Sequence, residues 1–158
     1  VKDIADLVAS LYAKCHKGNF GNIFVPGRLQ EIVMSSLLGH TISTTLSGAD
    51  GYDERGECEY KTTTGKNIKG TYKGISIEDT WEKQQAYITN KLGDMNHYIG
   101  RFDNGQLVEV WKMDGQIVLD ILMPRLYKQY HSTKHRKDPR PAVTLCKCDI
   151  YKHGERVI

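Results

Sequence analysis

Two carboxylates and an ammonium group are spaced for chemistry in residues 48–65, GADGYDERGECEYKTTTG. A turn at Glu54–Arg55 pairs Asp53 with Gly56, Tyr52 with Glu57, Gly51 with Cys58 and Asp50 with Glu59. Facing residues on paired strands have Cβ atoms about 5 Å apart, so Asp50 and Glu59 become cross-strand neighbours. Side chains alternate along a strand, which puts Lys61 on the face of Glu59 and turns Cys58 and Tyr60 away. Facing carboxylates repel unless a cation lies between them. Hard divalent cations such as Mg²⁺ prefer carboxylate oxygen, keep several waters and bind substrate phosphates. Asp50 and Glu59 are therefore the expected metal ligands. Lys61 beside them can orient a water and offset charge in a phosphorane-like transition state. The pattern predicts a metal-dependent phosphodiesterase. A register slip of one residue would turn Asp50 to the other face and make Asp53 its rival, but at the turn Asp53 has a simpler role as a turn former. The other reading of the stretch is a solvated hairpin.

The flanking elements follow from hydrophobic spacing. Ile4, Leu7, Val8, Leu11, Tyr12 and Cys15 predict an amphipathic helix over 3–16, broken by KGNFGN. Leu29, Ile32, Val33 and Leu37 predict a second helix between Gly27 and Gly39. TISTTL is β-prone, and a third helix is expected over 78–91. Strands are expected over 96–102, 106–112 and 116–120, joined by DNG and DG turns. A helix near 120–130 and a terminal strand in AVTLCKCDI complete the order. This is an α/β (or α+β) pattern: one domain over 1–158 with a central mixed sheet flanked by helices.

The chain has 158 residues, 39% hydrophobic and 26% charged, as expected of a globular domain with a real core. No apolar run reaches membrane-spanning length, so no membrane partner is expected. Four cysteines are too few for a disulfide scaffold and point to a reduced, intracellular protein, cytoplasmic if bacterial or phage. Cys146-x-Cys148 lacks the spacing of a zinc site, and alternating strand positions explain both residues. Gln84 and Gln85 read as polar helix surface, with an active-site contact as the alternative.

The net charge of +3 hides two basic segments. Residues 61–73, KTTTGKNIKGTYK, hold four Lys and no acid. Residues 125–140, RLYKQYHSTKHRKDPR, hold three Arg, three Lys and two His against one Asp. Each is either a solvated face or a contact with a polyanion. The first continues from the Glu59–Lys61 strand, so Thr63, Lys66, Asn67, Lys69, Tyr72 and Lys73 are expected to contact DNA. Asn suits adenine, Lys suits guanine, and hydroxyls suit phosphate or base edges. Lys134, His135, Arg136, Lys137 and Arg140 are expected on the DNA backbone.

Asp50, then Glu59-Tyr60-Lys61, resembles the motif of the PD-(D/E)XK nuclease superfamily, with Ala49 where the motif often has Pro. The resemblance narrows to the PvuII-like type II restriction endonucleases. It is carried by GNIF…GRLQEIVMSSLLGHTI, by GADGYDERGECEYK and by KDPRPAVTLCKCDIYKHGERVI. It implies a restriction-endonuclease-like fold and a homodimer that cuts both strands of duplex DNA at a palindromic site using Mg²⁺, with Mn²⁺ as a possible substitute. It also implies a dimer contact within the helical segment 1–40, a catalytic hairpin at 48–64, and an additional acid near the metal, Glu31. The chain departs from that family where GKNIKGTYKG lacks the adjacent histidines of the base-reading region. The site sequence therefore does not transfer. The alternatives are a nicking, homing or repair nuclease on the same fold, or a catalytically dead DNA-binding module.

Overall fold

A computed structural model describes every residue except 46, 134 and 138. Contacts within it divide the chain into two units, Val1–Cys58 and Glu59–Ile158.

The first unit opens with helix α1 (Lys2–Lys17), ended at Gly18. Its expected apolar stripe, Ile4, Leu7, Val8, Leu11 and Tyr12, is exposed, and Cys15 alone of that series is buried. Helix α2 (Arg28–Leu38) lies between Gly27 and Gly39, both left-handed, as the sequence predicts. A positive φ costs glycine little, so these two positions set the helix ends. Arg28, 2% exposed, ties the unit together. Its Nε donates to the Phe20 carbonyl at 3.1 Å, and its Nη2 donates to the Ser43 carbonyl.

Strand β1 (Thr41–Ile42) pairs antiparallel with β2 (Gly51–Asp53). β2 pairs with the start of β3 (Gly56–Thr63) in the predicted register: Gly51 with Cys58, Tyr52 with Glu57, Asp53 with Gly56. Asp53 is the turn former, its Oδ1 accepting from the Arg55 amide at 2.8 Å.

Beyond Cys58, β3 belongs to the second unit. There follow β4 (Gly70–Tyr72), α3 (Trp81–Leu92), β5 (Asn96–Asp103), β6 (Gln106–Asp114), α4 (Gly115–Thr133), β7 (Val143–Leu145), α5 (Lys147–His153) and β8 (Glu155–Arg156). In this unit the strands run in the order β3-β5-β6-β8, with β4 and β7 forming a separate ladder. The predicted α/β class holds, with a mixed sheet. The DNG turn behaves as read: Asn104 and Gly105 take φ of 48° and 80° and join β5 to β6. Ile88 and Leu92 of α3, Val118, Leu122 and Leu126 of α4, Ile99 and Met113 of the sheet and Leu145 of β7 form the core.

Three expectations are corrected. Residues 116–120 begin α4 rather than forming a strand. The Asp114-Gly115 pair is a strand-to-helix junction, where Asp114 Oδ1 accepts from the Gln116 amide at 2.9 Å. A Cβ on Gly115 would lie 2.7 Å from the Met95 carbonyl oxygen, so only glycine fits there. The terminal strand is confined to β7, and the cysteines lie at the start of α5 instead of alternating along a strand. Cys146 and Cys148 are joined by a disulfide, while Cys15 and Cys58 are free and buried. Gln84 is buried rather than surface polar. Its Nε2 donates to the Ser76 carbonyl at 3.0 Å and its Oε1 accepts from the Glu78 amide at 2.8 Å.

Candidate active site

Alternation along β3 sorts its side chains. Cys58 is fully buried and Tyr60 is 2% exposed, whereas Glu59 and Lys61 keep 16% and 19% of their side chains open. The two ionic groups pair directly through Lys61 Nζ and Glu59 Oε1. Lys61 Nζ also donates to the Tyr60 carbonyl at 3.3 Å. Its stem passes Gly70 of β4, where an added Cβ would lie 3.5 Å from Lys61 Cβ and 3.3 Å from Ile99 Cγ1. Its head lies over the ring of Tyr72, 5.1 Å from the centroid.

Tyr72 is held in turn. Its hydroxyl meets His97 Nδ1 at 2.9 Å, and His97 Nε2 meets the Leu92 carbonyl at 2.9 Å. A carbonyl oxygen only accepts, so Nε2 carries the proton, Nδ1 is the acceptor and the Tyr72 O–H donates. His97 is fully buried. Burial lowers its pKa from 6.5 and outweighs the opposing pull of the Leu92 carbonyl, so the ring is neutral at physiological pH.

Glu59 and Lys61 open onto a pocket whose wall also carries Lys73, Tyr87 and Lys91, over an apolar floor of Ile75, Ile88 and Leu92. Three ammonium groups, those of Lys61, Lys73 and Lys91, stand against the one carboxylate of Glu59 in this lining.

The other expected residues are distributed as follows. Asp50 lies immediately before β2 in the first unit. Its amide donates to the Cys58 carbonyl at 3.1 Å, and its carbonyl accepts from the Ser43 amide at 2.9 Å. Glu31 is on the first turn of α2, in an ion pair with Arg28 at 3.3 Å. Lys66, Asn67, Lys69 and Lys73 are exposed around β4, and His135, Arg136, Lys137 and Arg140 are exposed after α4. Lys134 lies outside the described residues. Two of the expected DNA contacts are buried. Tyr72 is 3% exposed with its hydroxyl committed to His97. Thr63 is 7% exposed and its Oγ1 accepts from the Gly65 amide at 3.3 Å.

Among the described residues, Cys146, Cys148 and Asp149 are grouped closely enough to share a metal ion. Their chemistry argues against it. Metal binding needs thiolates, and these sulfurs are joined to each other. Asp149 is gripped by Arg125, Nη1 and Nη2 donating at 2.7 and 2.8 Å, and also accepts from the Cys146 amide at 2.8 Å. The Arg125 bonds hold the Asp149 carboxyl below its ordinary range, outweighing the opposing effect of burial.

Glu109 is a second satisfied carboxylate. It accepts from Arg101 at 2.6 Å, Trp111 at 2.8 Å and Tyr151 at 3.1 Å. Burial would raise its pKa, but the three donors together lower it. The sequence signal for Tyr72–His97 was faint: a lone histidine within the apolar strand MNHYIG. Nothing local marks its partner 25 residues earlier.

No family model matches the chain, and a search of curated proteins finds no relative. No helix among the described residues is long and apolar enough to cross a membrane.

Proposed function

We propose that this chain is a metal-dependent DNA endonuclease of the PD-(D/E)XK superfamily, of the PvuII-like type II restriction class. The observation that carries the reading is Glu59 and Lys61 side by side on one strand face, opening onto a pocket rich in lysine. Support also comes from the β2–β3 hairpin, whose register of Gly51 with Cys58 is the one the sequence predicts.

Asp50 and Glu59 would hold Mg²⁺ or Mn²⁺, with Glu31 as an outer ligand after release from Arg28. When bound, the ion supplies Lewis-acid stabilisation of phosphate oxygens. Lys61 exchanges its bond to Glu59 for one to the attacking water, orients that water in line with the leaving oxygen and offsets the charge of the transition state. The new bond joins water oxygen to phosphorus. The bond from phosphorus to the 3′ oxygen breaks, the attacking water gives up a proton to solvent and the leaving oxygen takes one from solvent, which leaves a 5′-phosphate and a 3′-hydroxyl. Lys66, Asn67, Lys69 and Lys73, with the basic segment after α4, follow the duplex. A homodimer cutting a palindromic site inside the cell completes the proposal.

The test is digestion of plasmid and phage-length DNA with Mg²⁺ and with chelator, using wild type, Lys61→Ala and Glu59→Gln. Discrete fragments that need the metal, with rates about 10²–10³-fold lower in Lys61→Ala, are expected. Uncut DNA with wild type, or equal cutting by Lys61→Ala, would overturn the reading. Duplex binding without any new ends would leave a DNA-binding module.

A further inference from the structure

Burying a histidine and a tyrosine against each other is an expensive way to fill a core, because each polar atom needs its own partner. An apolar pair of similar volume would pack without that requirement. The arrangement achieves something such a pair cannot. Tyr72 and His97 rings sit 5.6 Å apart at 58°, the hydroxyl bond fixes the Tyr72 ring, and the Leu92 carbonyl at the end of α3 fixes His97. The ring so fixed presents its face to the Lys61 ammonium. On the same face of β4, two residues earlier, Gly70 leaves room for the Lys61 stem. β4 thus offers a gap for the stem and an aromatic plate for the head.

We propose that Tyr72 is a positioning residue for Lys61, acting through the face of its ring and not through its hydroxyl. The ring attracts the ammonium through its quadrupole and confines it to the side of Glu59. The catalytic consequence of this positioning rests on the nuclease reading above, while the positioning itself does not.

Two measurements separate them. The first is nuclear magnetic resonance of the Lys61 ε-methylene protons in lysine-labelled protein, assigned with Lys61→Arg. A proton over a ring face is shifted upfield. The shift is expected in wild type and in Tyr72→Phe, which keeps the ring, and is expected to vanish in Tyr72→Leu. The second is steady-state cleavage. Tyr72→Leu should lower kcat about tenfold with KM near wild type, and Tyr72→Phe should retain most of the rate. An unshifted Lys61 in wild type, or Tyr72→Leu cutting as fast as wild type, would overturn the proposal. Tyr72→Phe that keeps the shift but loses as much rate as Lys61→Ala would also overturn it, because the hydroxyl and not the ring would then matter. If Tyr72→Leu fails to fold, wild type and Tyr72→Phe still decide. If wild type cuts no DNA, the nuclease reading falls and the resonance measurement alone decides the positioning.

Discussion

The Tyr72 hydroxyl donates to His97 Nδ1 at 2.9 Å, and neither residue has more than 3% of its surface open. A buried donor and a buried acceptor satisfy each other, and removing either strands the other.

That relationship sets a pH dependence. His97 has a folded-state pKa below the ordinary 6.5 because burial penalises its charged form. Between the folded and unfolded values the unfolded chain binds the extra proton, so stability rises with pH through that window. The contribution is fully present above about 6.5 and is lost as pH falls through the folded value. His97→Asn should cost about 1–3 kcal/mol at pH 7.5 and flatten this part of the profile. Chemical denaturation of both proteins from pH 5 to 8 checks it. Parallel profiles would show that His97 is not buried neutral.

Arg125 and Asp149 give the opposite side chain a similar test. Arg125 also donates to the Thr144 carbonyl at 2.6 Å, so one guanidinium ties α4 to β7 and to the start of α5. Arg125 is 39% exposed, which tempers the energy by solvent screening, and Arg125→Ala should cost about 1–3 kcal/mol. The depressed Asp149 pKa means this stabilisation is complete above 3.8 and fades as pH falls through the lower folded value. Arg125→Ala should therefore lose part of the wild-type acid transition. An unchanged transition would place the acid sensitivity elsewhere.

The lysines around β4 are a test of the DNA reading by salt. If Lys66 and Lys69 neutralise phosphates, replacing each by Ala should reduce the slope of log K against log salt by about 1. Fluorescence anisotropy of a labelled duplex in chelator, across several salt concentrations, reads the slope without cleavage. Equal slopes in all three proteins would remove both lysines from the interface.

Local patterns were legible in the sequence. Helical spacing located α1 and α2, the Asn104–Gly105 turn located the β5–β6 hairpin, and alternation placed Glu59 and Lys61 on one face. What failed depended on the rest of the chain. The run Ile117-Val118-Leu119 suits a strand or a helix equally by composition, and only the crowding at Gly115 and core contacts at Leu122 and Leu126 decide for the helix. Tyr72 read as a DNA contact because it stands in a basic segment, and its burial follows from His97 and from the pairing with Val143. The pairing of Cys146 with Cys148 was not read from the sequence, since a low cysteine count says nothing about two thiols placed side by side.

The β4–β7 ladder has a consequence for the order of assembly. It joins Gly70, Thr71 and Tyr72 to Leu145, Thr144 and Val143, and the Thr71 and Thr144 hydroxyls meet at 3.1 Å across 73 positions of sequence. The β5–β6 hairpin closes over a two-residue turn and can form early, whereas contacts of such long range form late. During synthesis, Tyr72 leaves the ribosome well before the strand that holds it. β4 therefore lacks its strand partner until residues 143–145 have emerged. A nascent chain that already carries Glu59 and Lys61 would still lack the strand that completes the β4 ladder.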